Sequence, residues 1–276
     1  MRTKTTKVLI IFLLLLSNKT IAQSQNFGSI DYNKAVNISG KQRMLSQKMS
    51  KAFLLLSKGI NNDKIKKELN SSKFIFEKQL DILNQNAQSS STKLYLKQVY
   101  KIWSQFKDII NSSPNLTNAK KIMDLNTSLL KACHQVVMSI ETTSNYSNKF
   151  FENNDQELVK TINISGKQRM LSQRMCLYFT AIKTFYKDRI EYQKVLESVF
   201  DEFSEVIGYL LINVNNTTDI EEEIGTVMSL WEEYQSNKTD FIHAKFELTN
   251  VYAATNDLTK SFNKITGFYE KVSKSH

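Results

Sequence analysis

One eleven-residue block occurs twice in this chain, and it constrains the possible fold more than any other feature. Residues 37–47 and residues 163–173 both read NISGKQRMLSQ. The identity fades beyond the block, although Trp103 and Trp231 lie near equivalent positions with a two-residue drift. A long-period repeat in two copies indicates a duplicated unit of about 125 residues and not a many-repeat solenoid.

The composition predicts that this unit is helical. The 276 residues include only one proline and seven glycines, so few residues interrupt a helix. Apolar residues such as Leu45, Met49 and Leu56 recur at helical spacing. We therefore predict an all-α fold of two tandem four-helix, up-down bundle units, over residues 29–152 and 154–275.

Local signals predict where some of these helices begin and end. Gly59 is expected to stop the first helix. Thr218 with Glu221 forms a capping-box pattern at the start of the third helix of the second unit. The last helix is expected to run without interruption over residues 240–274.

The junction between the units, residues 151–157, leaves two architectures open. An unbroken helix would place the units end to end, whereas a break at Asn153 would lay them side by side as a pseudo-dimer. We favour the break. Cys133 and Cys176 flank the junction, and only a hairpin could bring them within disulfide distance. Two buried free thiols are the expected alternative.

The N-terminus has the pattern of a secretory signal peptide. Residues 1–22 combine Arg2, Lys4 and Lys7 with an apolar run at residues 8–16 and a small-residue cleavage site. The run is short for a membrane span, and no later segment is long and apolar enough to be one. We therefore expect a periplasmic or secreted protein, with an uncleaved anchor as the less favoured alternative.

The residues disfavour several classes of function. The chain is mildly basic, with 37 lysines and arginines against 27 acidic residues spread along its length, unlike a nucleic-acid-binding stripe. Its histidines, His134, His243 and His276, lack metal-ligand spacing. No nucleophile–base pair or phosphate-binding loop is recognisable. We therefore expect a non-enzymatic protein without a cofactor, a metal or a nucleic-acid partner.

On a helix, the duplicated block places a stripe of selected side chains on one face. Residues three and four apart share a face, so Gly40, Arg43 and Gln47 line up, with Asn37 and Met44 beside them. The planar arginine fork suits a planar oxyanion. A glycine within a helix allows another group to approach closely. The alternative is a solvated arginine on a polar face and a glycine used only for helix packing.

Residues 39–49 and 165–175 read SGKQRMLSQKM and SGKQRMLSQRM. This pattern resembles the P-box of bacterial nitrate sensors. It is more similar still to the signature of the PilJ-type domain, the N-terminal domain of type IV pili methyl-accepting chemotaxis transducers. Lys48 departs from that signature by replacing its second arginine, whereas Arg174 keeps it. The resemblance implies a helical bundle outside the inner membrane, and in the nitrate sensors the P-box arginine of each protomer holds nitrate or nitrite at a dimer interface.

Carried onto this chain, the resemblance implies a binding site for a small inorganic anion, nitrate or nitrite first, built from both units. The resemblance places the P-box arginines on Arg43 and Arg169, with Gly40 and Gly166 beside them. The helical stripe adds three further pairs of candidate site residues: Asn37 and Asn163, Gln47 and Gln173, and Met44 and Met170. The protein would be a monomer with an internal pseudo-dimer, or a homodimer, and would signal to a membrane-bound sensor protein. The alternative function is a ligand-free helical interaction module that docks to a membrane sensor or an envelope complex.

Overall fold

The computed structural model describes residues 26–60, 62–147 and 153–275, so the predicted signal peptide at residues 1–22 lies outside the described part of the chain. The first unit opens with a short antiparallel hairpin and continues with four helices. These elements are β1 (Asn26–Phe27), β2 (Ile30–Asp31), α1 (Tyr32–Ser57), α2 (Asp63–Asn86), α3 (Ser90–Ile110) and α4 (Leu116–Ser147).

The second unit repeats the four long helices and adds a 3-10 turn and a short helix. Its elements are α5 (Asn153–Ile182), the 3-10 turn (Tyr186–Asp188), α6 (Arg189–Leu211), α7 (Thr218–Ser236), α8 (Lys238–Ile242) and α9 (Leu248–Ser275). Helices α1, α2, α3 and α4 correspond in order to α5, α6, α7 and α9. The predicted all-α class is confirmed, because the described residues outside the helices form only turns, loops and the hairpin.

Side-chain caps and a positive backbone angle define several helix ends. Asp31 and Asn62 each accept a hydrogen bond from a backbone N–H, of Lys34 and of Lys64, at 2.7 Å, and so begin α1 and α2. Gly59 has a φ of 88° and follows the end of α1, as predicted.

Two helix-boundary predictions in the second unit are wrong. The N-cap of α7 is Thr217 and makes no side-chain capping bond, so the predicted capping box of Thr218 with Glu221 does not form. The last helix is interrupted, because the chain turns after α8 and Ala244 takes a positive φ of 54°. A left-handed residue cannot continue a right-handed helix, so a new helix begins at Leu248.

Helices α1 and α5, which carry the two copies of the block, pack against each other at the centre of the molecule. In the first unit α1 also packs against α2 and α4, and α3 packs on α4. In the second unit α5 packs against α6 and α9, and α7 packs on α9. The two units therefore lie side by side. The break between them is expected at Asn153, which is the first residue of α5, and residues 148–152 before it lie outside the described part of the chain.

The same aromatic contact stabilises the outer helices of both units. Trp103 of α3 lies with its ring centroid 4.4 Å from that of Phe76 in α2, and Trp231 of α7 lies 4.8 Å from Phe203 in α6. Both tryptophans are buried. Among the described helices, none combines the length and the apolar character that crossing a bilayer requires.

Candidate functional site

Both copies of the block lie on the central helices, and this location buries their arginines. Arg43 is 1% exposed and Arg169 is 0% exposed, although arginine is among the residues least often fully buried. They are covered because α1 and α5 pack against each other and are flanked by α2, α4, α6 and α9. The alternative of a solvated arginine on a polar face is therefore wrong.

Each arginine reaches across the contact between α1 and α5 to the same residue of the opposite copy. Arg43 Nη2 donates to Asn163 Oδ1 at 2.8 Å, and Arg169 Nη1 donates to Asn37 Oδ1 at 2.8 Å. The two halves of the block thus complete each other's hydrogen bonds, in a reciprocal arrangement with approximate twofold symmetry.

Each asparagine also contacts a carboxylate near the C-terminal end of a neighbouring helix. Asn163 Nδ2 donates to Glu141 Oε2 of α4 at 2.6 Å, and Asn37 Nδ2 donates to Glu270 Oε2 of α9. One amide therefore joins each guanidinium to a carboxylate, and no direct ion pair is needed to connect them.

A second polar side chain from α4 and from α9 contacts each guanidinium. His134 Nδ1 lies 3.3 Å from Nη1 of the first guanidinium, and Asn263 Oδ1 accepts from Nη1 of the second at 3.1 Å. His134 precedes Glu141 by seven residues, as Asn263 precedes Glu270. Residues seven apart share a helix face. Sequence reasoning missed these four residues, and their matching spacing was the signal that could have found them.

Both guanidiniums are charged at neutral pH although they are desolvated. Burial lowers the pKa of Arg43 to about 10. Burial, together with the neighbouring charge of Arg43, lowers the pKa of Arg169 to about 9. Their hydrogen-bond partners in the described part of the chain are amides, backbone carbonyls and His134, whose pKa is itself lowered by burial. An anion would stabilise two buried like charges of this kind.

The glycines of the block make room for the guanidiniums. A methyl group at Gly40 would lie 3.4 Å from Nη2 of both Arg43 and Arg169, and one at Gly166 would lie 2.7 Å from Nη2 of Arg169. Because both Nη2 atoms lie 3.4 Å from the same point, they are at most about 7 Å from each other. Both nitrogens therefore border the space above Gly40. Within the described residues, Nη2 of Arg169 is buried and meets no acceptor.

The predicted glutamines and methionines occupy the surroundings of this centre. Gln47 and Gln173 donate to polar side chains of α4 and α9 at 2.8 and 2.7 Å, about one turn along from the arginines. Met44 and Met170 are buried core residues. The structure thus brings the arginines, asparagines and glycines together, and it surrounds them with the other four residues.

Neither the cysteines nor any metal cluster adds to this centre. Cys133 and Cys176 are buried free thiols, not a disulfide. Burial raises the pKa of Cys133 to about 12, so this thiol is unreactive at neutral pH. Over residues 26–60, 62–147 and 153–275, no group of three or more His, Cys, Asp or Glu side chains could hold a metal ion.

Residues 29–125, about a third of the chain, match the PilJ family, described as type IV pili methyl-accepting chemotaxis transducer N-term. The matched residues include α1, α2, α3 and the first part of α4, and with them the first copy of the block.

PilJ is a domain of signalling transducers and not a catalytic family. The resemblance recognised in the sequence is confirmed for these residues, whereas a second PilJ unit and the relationship to nitrate sensors stay predictions. No curated protein and no solved structure matches the chain.

Proposed function

We propose that this chain is an exported, non-enzymatic sensor-type protein that binds a small planar oxyanion, nitrate or nitrite first, between its two units. The observation that carries the proposal is the pair of buried, charged guanidiniums of Arg43 and Arg169 bordering the space above Gly40. The PilJ domain over residues 29–125 supports a sensory role. The signal-peptide pattern of residues 1–22 supports export.

The chemistry of this space favours a flat anion with several acceptors. Arginine presents donors in a planar fork, and the free Nη2 of Arg169 still lacks an acceptor among the described residues. Each charge-assisted hydrogen bond contributes about 1.5–3 kcal/mol. Desolvation of the anion offsets part of this gain, so we expect micromolar affinity, equivalent to about 8 kcal/mol.

The asparagine contacts offer a route by which occupancy changes the bundle. Asn163 and Asn37 connect the guanidiniums to Glu141 on α4 and to Glu270 on α9. An anion that takes over guanidinium donors would weaken these connections and alter how α4 and α9 pack on the central helices. A membrane-bound partner in contact with α4 or α9 would then sense the change.

Calorimetry with nitrate, nitrite and acetate on the mature protein tests the proposal. We expect saturable micromolar binding of nitrate or nitrite. Arg43→Ala or Arg169→Ala alone should abolish it, because both arginines border one space. Arg43→Lys and Arg169→Lys keep the charge but lose the fork, and each should weaken binding at least about tenfold. Arg189→Lys, at the start of α6 and outside the block, is the matched control.

Gly40→Ala tests the space itself. Alanine favours a helix over glycine by about 1 kcal/mol, so the variant should fold, while its methyl group lies 3.4 Å from both Nη2 atoms and excludes the anion. Gly267→Ala on α9, where an added methyl meets nothing within 4 Å, should bind like the wild type. Undiminished binding by the Gly40 variant would contradict the proposal.

The alternative of a ligand-free interaction module is favoured by the reciprocal arginine–asparagine bonds, which already fasten the two units together. This alternative predicts no heat of binding and no shift in melting temperature with nitrate, nitrite or acetate. In that case Arg43→Lys would lower stability equally with and without nitrate.

A further inference from the structure

A cleft separate from the space above Gly40 opens on one side of the central helices. It lies between α4 of the first unit and α5 and α6 of the second, and it has a volume of ≈ 490 Å³. Pockets for small organic ligands fall in the range of about 300–1,000 Å³. We call it the lateral cleft.

The walls of the lateral cleft are largely apolar. Leu130 comes from α4, Met170 from α5, and Val195 and Val199 from α6. Because these side chains belong to both units, the cleft exists only where the units pack side by side. Such walls bind the apolar body of a ligand.

The charged side chains of the lateral cleft are mainly basic. Lys131, Arg174 and Lys194 line it, and Arg43 closes its inner end. Its one acidic lining residue, Glu202, already forms an ion pair with Lys167, which also lines the cleft. The cleft therefore carries an uncompensated positive charge.

The positions of these basic groups suit a ligand with one anionic end. Arg174 is held in place, because Nη1 donates to Gln47 Oε1 at 2.9 Å and the guanidinium lies 4.7 Å from the centroid of the Tyr178 ring. Lys131 and Lys194 are exposed, and within the described residues neither forms an ion pair. They can close over an anion at the mouth of the cleft.

The geometry points to a second binding site: the lateral cleft binds an organic anion with an apolar body, such as a carboxylate carrying a hydrocarbon chain. The anionic end meets Lys131, Lys194 and Arg174, and the apolar body lies on Leu130 and Met170. Arg43 borders both the lateral cleft and the space above Gly40, but Lys131, Lys194 and Arg174 line only the cleft, so this site does not rest on the proposed function.

Fluorescence titration with anilinonaphthalene sulfonate and calorimetry with octanoate, both on the mature protein, test this site. We expect saturable binding of both probes, displacement of one by the other, and at least about tenfold weaker binding of octanamide, which is neutral. Lys131→Gln with Lys194→Gln should weaken octanoate binding at least about tenfold. These lysines are exposed, so the double variant should melt at the wild-type temperature.

Matched controls separate this proposal from the others. Lys93→Gln with Lys97→Gln removes the same charge from exposed positions on α3 and should leave octanoate binding unchanged. Gly40→Ala should abolish nitrate binding and keep octanoate binding. The site would be refuted by absence of saturable binding, by equal binding of octanamide, or by octanoate affinity that both lysine double variants reduce equally.

Discussion

The two lateral faces of the central helix pair are built from corresponding helices, yet they are packed differently. On one face, α5 with α4 and α6 forms the lateral cleft. On the other face, which we call the closed face, α1 with α9 and α2 surrounds a buried ion pair, Lys51 Nζ to Glu68 Oε1 at 2.7 Å. Tyr252 donates to Glu68 Oε2 at 2.9 Å, and Lys51 donates to Asn256 at 2.8 Å.

One substitution about one turn beyond the block accounts for this difference. The counterpart of Lys51 in the second copy is Leu177, and both side chains are 0% exposed. A buried ammonium requires a carboxylate and further acceptors, whereas a leucine requires only apolar neighbours. Glu68, Tyr252 and Asn256 therefore fill the closed face. The comparison teaches that a duplicated scaffold can keep one polar centre while its two flanks acquire different chemistry.

The largest expected effect comes from breaking the ion pair of the closed face. Glu68→Gln leaves the buried Lys51 without its counter-ion and should lower the free energy of unfolding by about 3–5 kcal/mol. Urea denaturation followed by circular dichroism measures the loss. Glu222→Gln, on the exposed surface of α7, removes the same charge and should change stability by less than about 0.5 kcal/mol.

Replacing the buried ion pair of the closed face by apolar side chains tests whether charge burial causes the difference between the two faces. Lys51→Leu combined with Glu68→Leu gives the first copy the leucine that the second copy has, and it should recover most of the stability lost in Glu68→Gln. If the double variant were as unstable as the single one, packing and not charge burial would be the cause of the difference between the faces.

An intermediate loss of stability is expected when Arg174 is replaced by alanine, and the corresponding residue of the first copy, Lys48, provides the comparison. Arg174→Ala removes the donor to the buried Gln47 Oε1 and the contact with the Tyr178 ring, so it should cost about 1–3 kcal/mol. Lys48 is half-buried, and Lys48→Ala should cost less than about 1 kcal/mol. Equal losses in thermal melts of the two variants would mean that the two positions are energetically equivalent.

The smallest expected effect is on the pH dependence of stability and comes from His134, which contacts Arg43 as Asn263 contacts Arg169. Burial, and then the charges of Arg43 and Lys167, lower the pKa of His134 below its ordinary value of 6.5. Between the lowered value and 6.5 the unfolded chain binds a proton that the native chain does not, so stability rises with pH across this window.

His134→Asn should therefore reduce the loss of melting temperature between pH 7.5 and pH 5.5. The pKa of Glu141 is raised by burial, which gives the opposite slope at lower pH, so the variant must be compared with the wild type at each pH. Identical pH profiles for the two proteins would contradict the assignment to His134.

The fold was largely predictable from local patterns, and the exceptions have physical causes. Helical spacing and the shortage of breakers identified the four long helices of each unit. The interruption before α9 was missed because Ala244 takes a left-handed angle that no local signal of alanine indicates. The side-by-side packing was favoured but not decided, since the residues of the junction allow both a continuous helix and a break.

The candidate site was predictable in part. The repeated block identified Arg43, Arg169 and their glycines, because eleven identical residues stand out against a diverged background. Glu141 and Glu270 could not be found in the same way. They lie about 100 residues away in sequence from the arginines that they influence, on helices whose register against the centre depends on packing.

The sequence by itself determined that the chain forms helices, that it contains a duplicated block, and which arginines recur in both copies, because helical periodicity and internal identity are local properties of the chain. Only the tertiary structure decided that both arginines are buried, that each binds the asparagine of the other copy, and that one flank is open while the other is filled. Those features depend on how α1 and α5 face each other, and side-chain contacts between distant segments have no local signature in the chain.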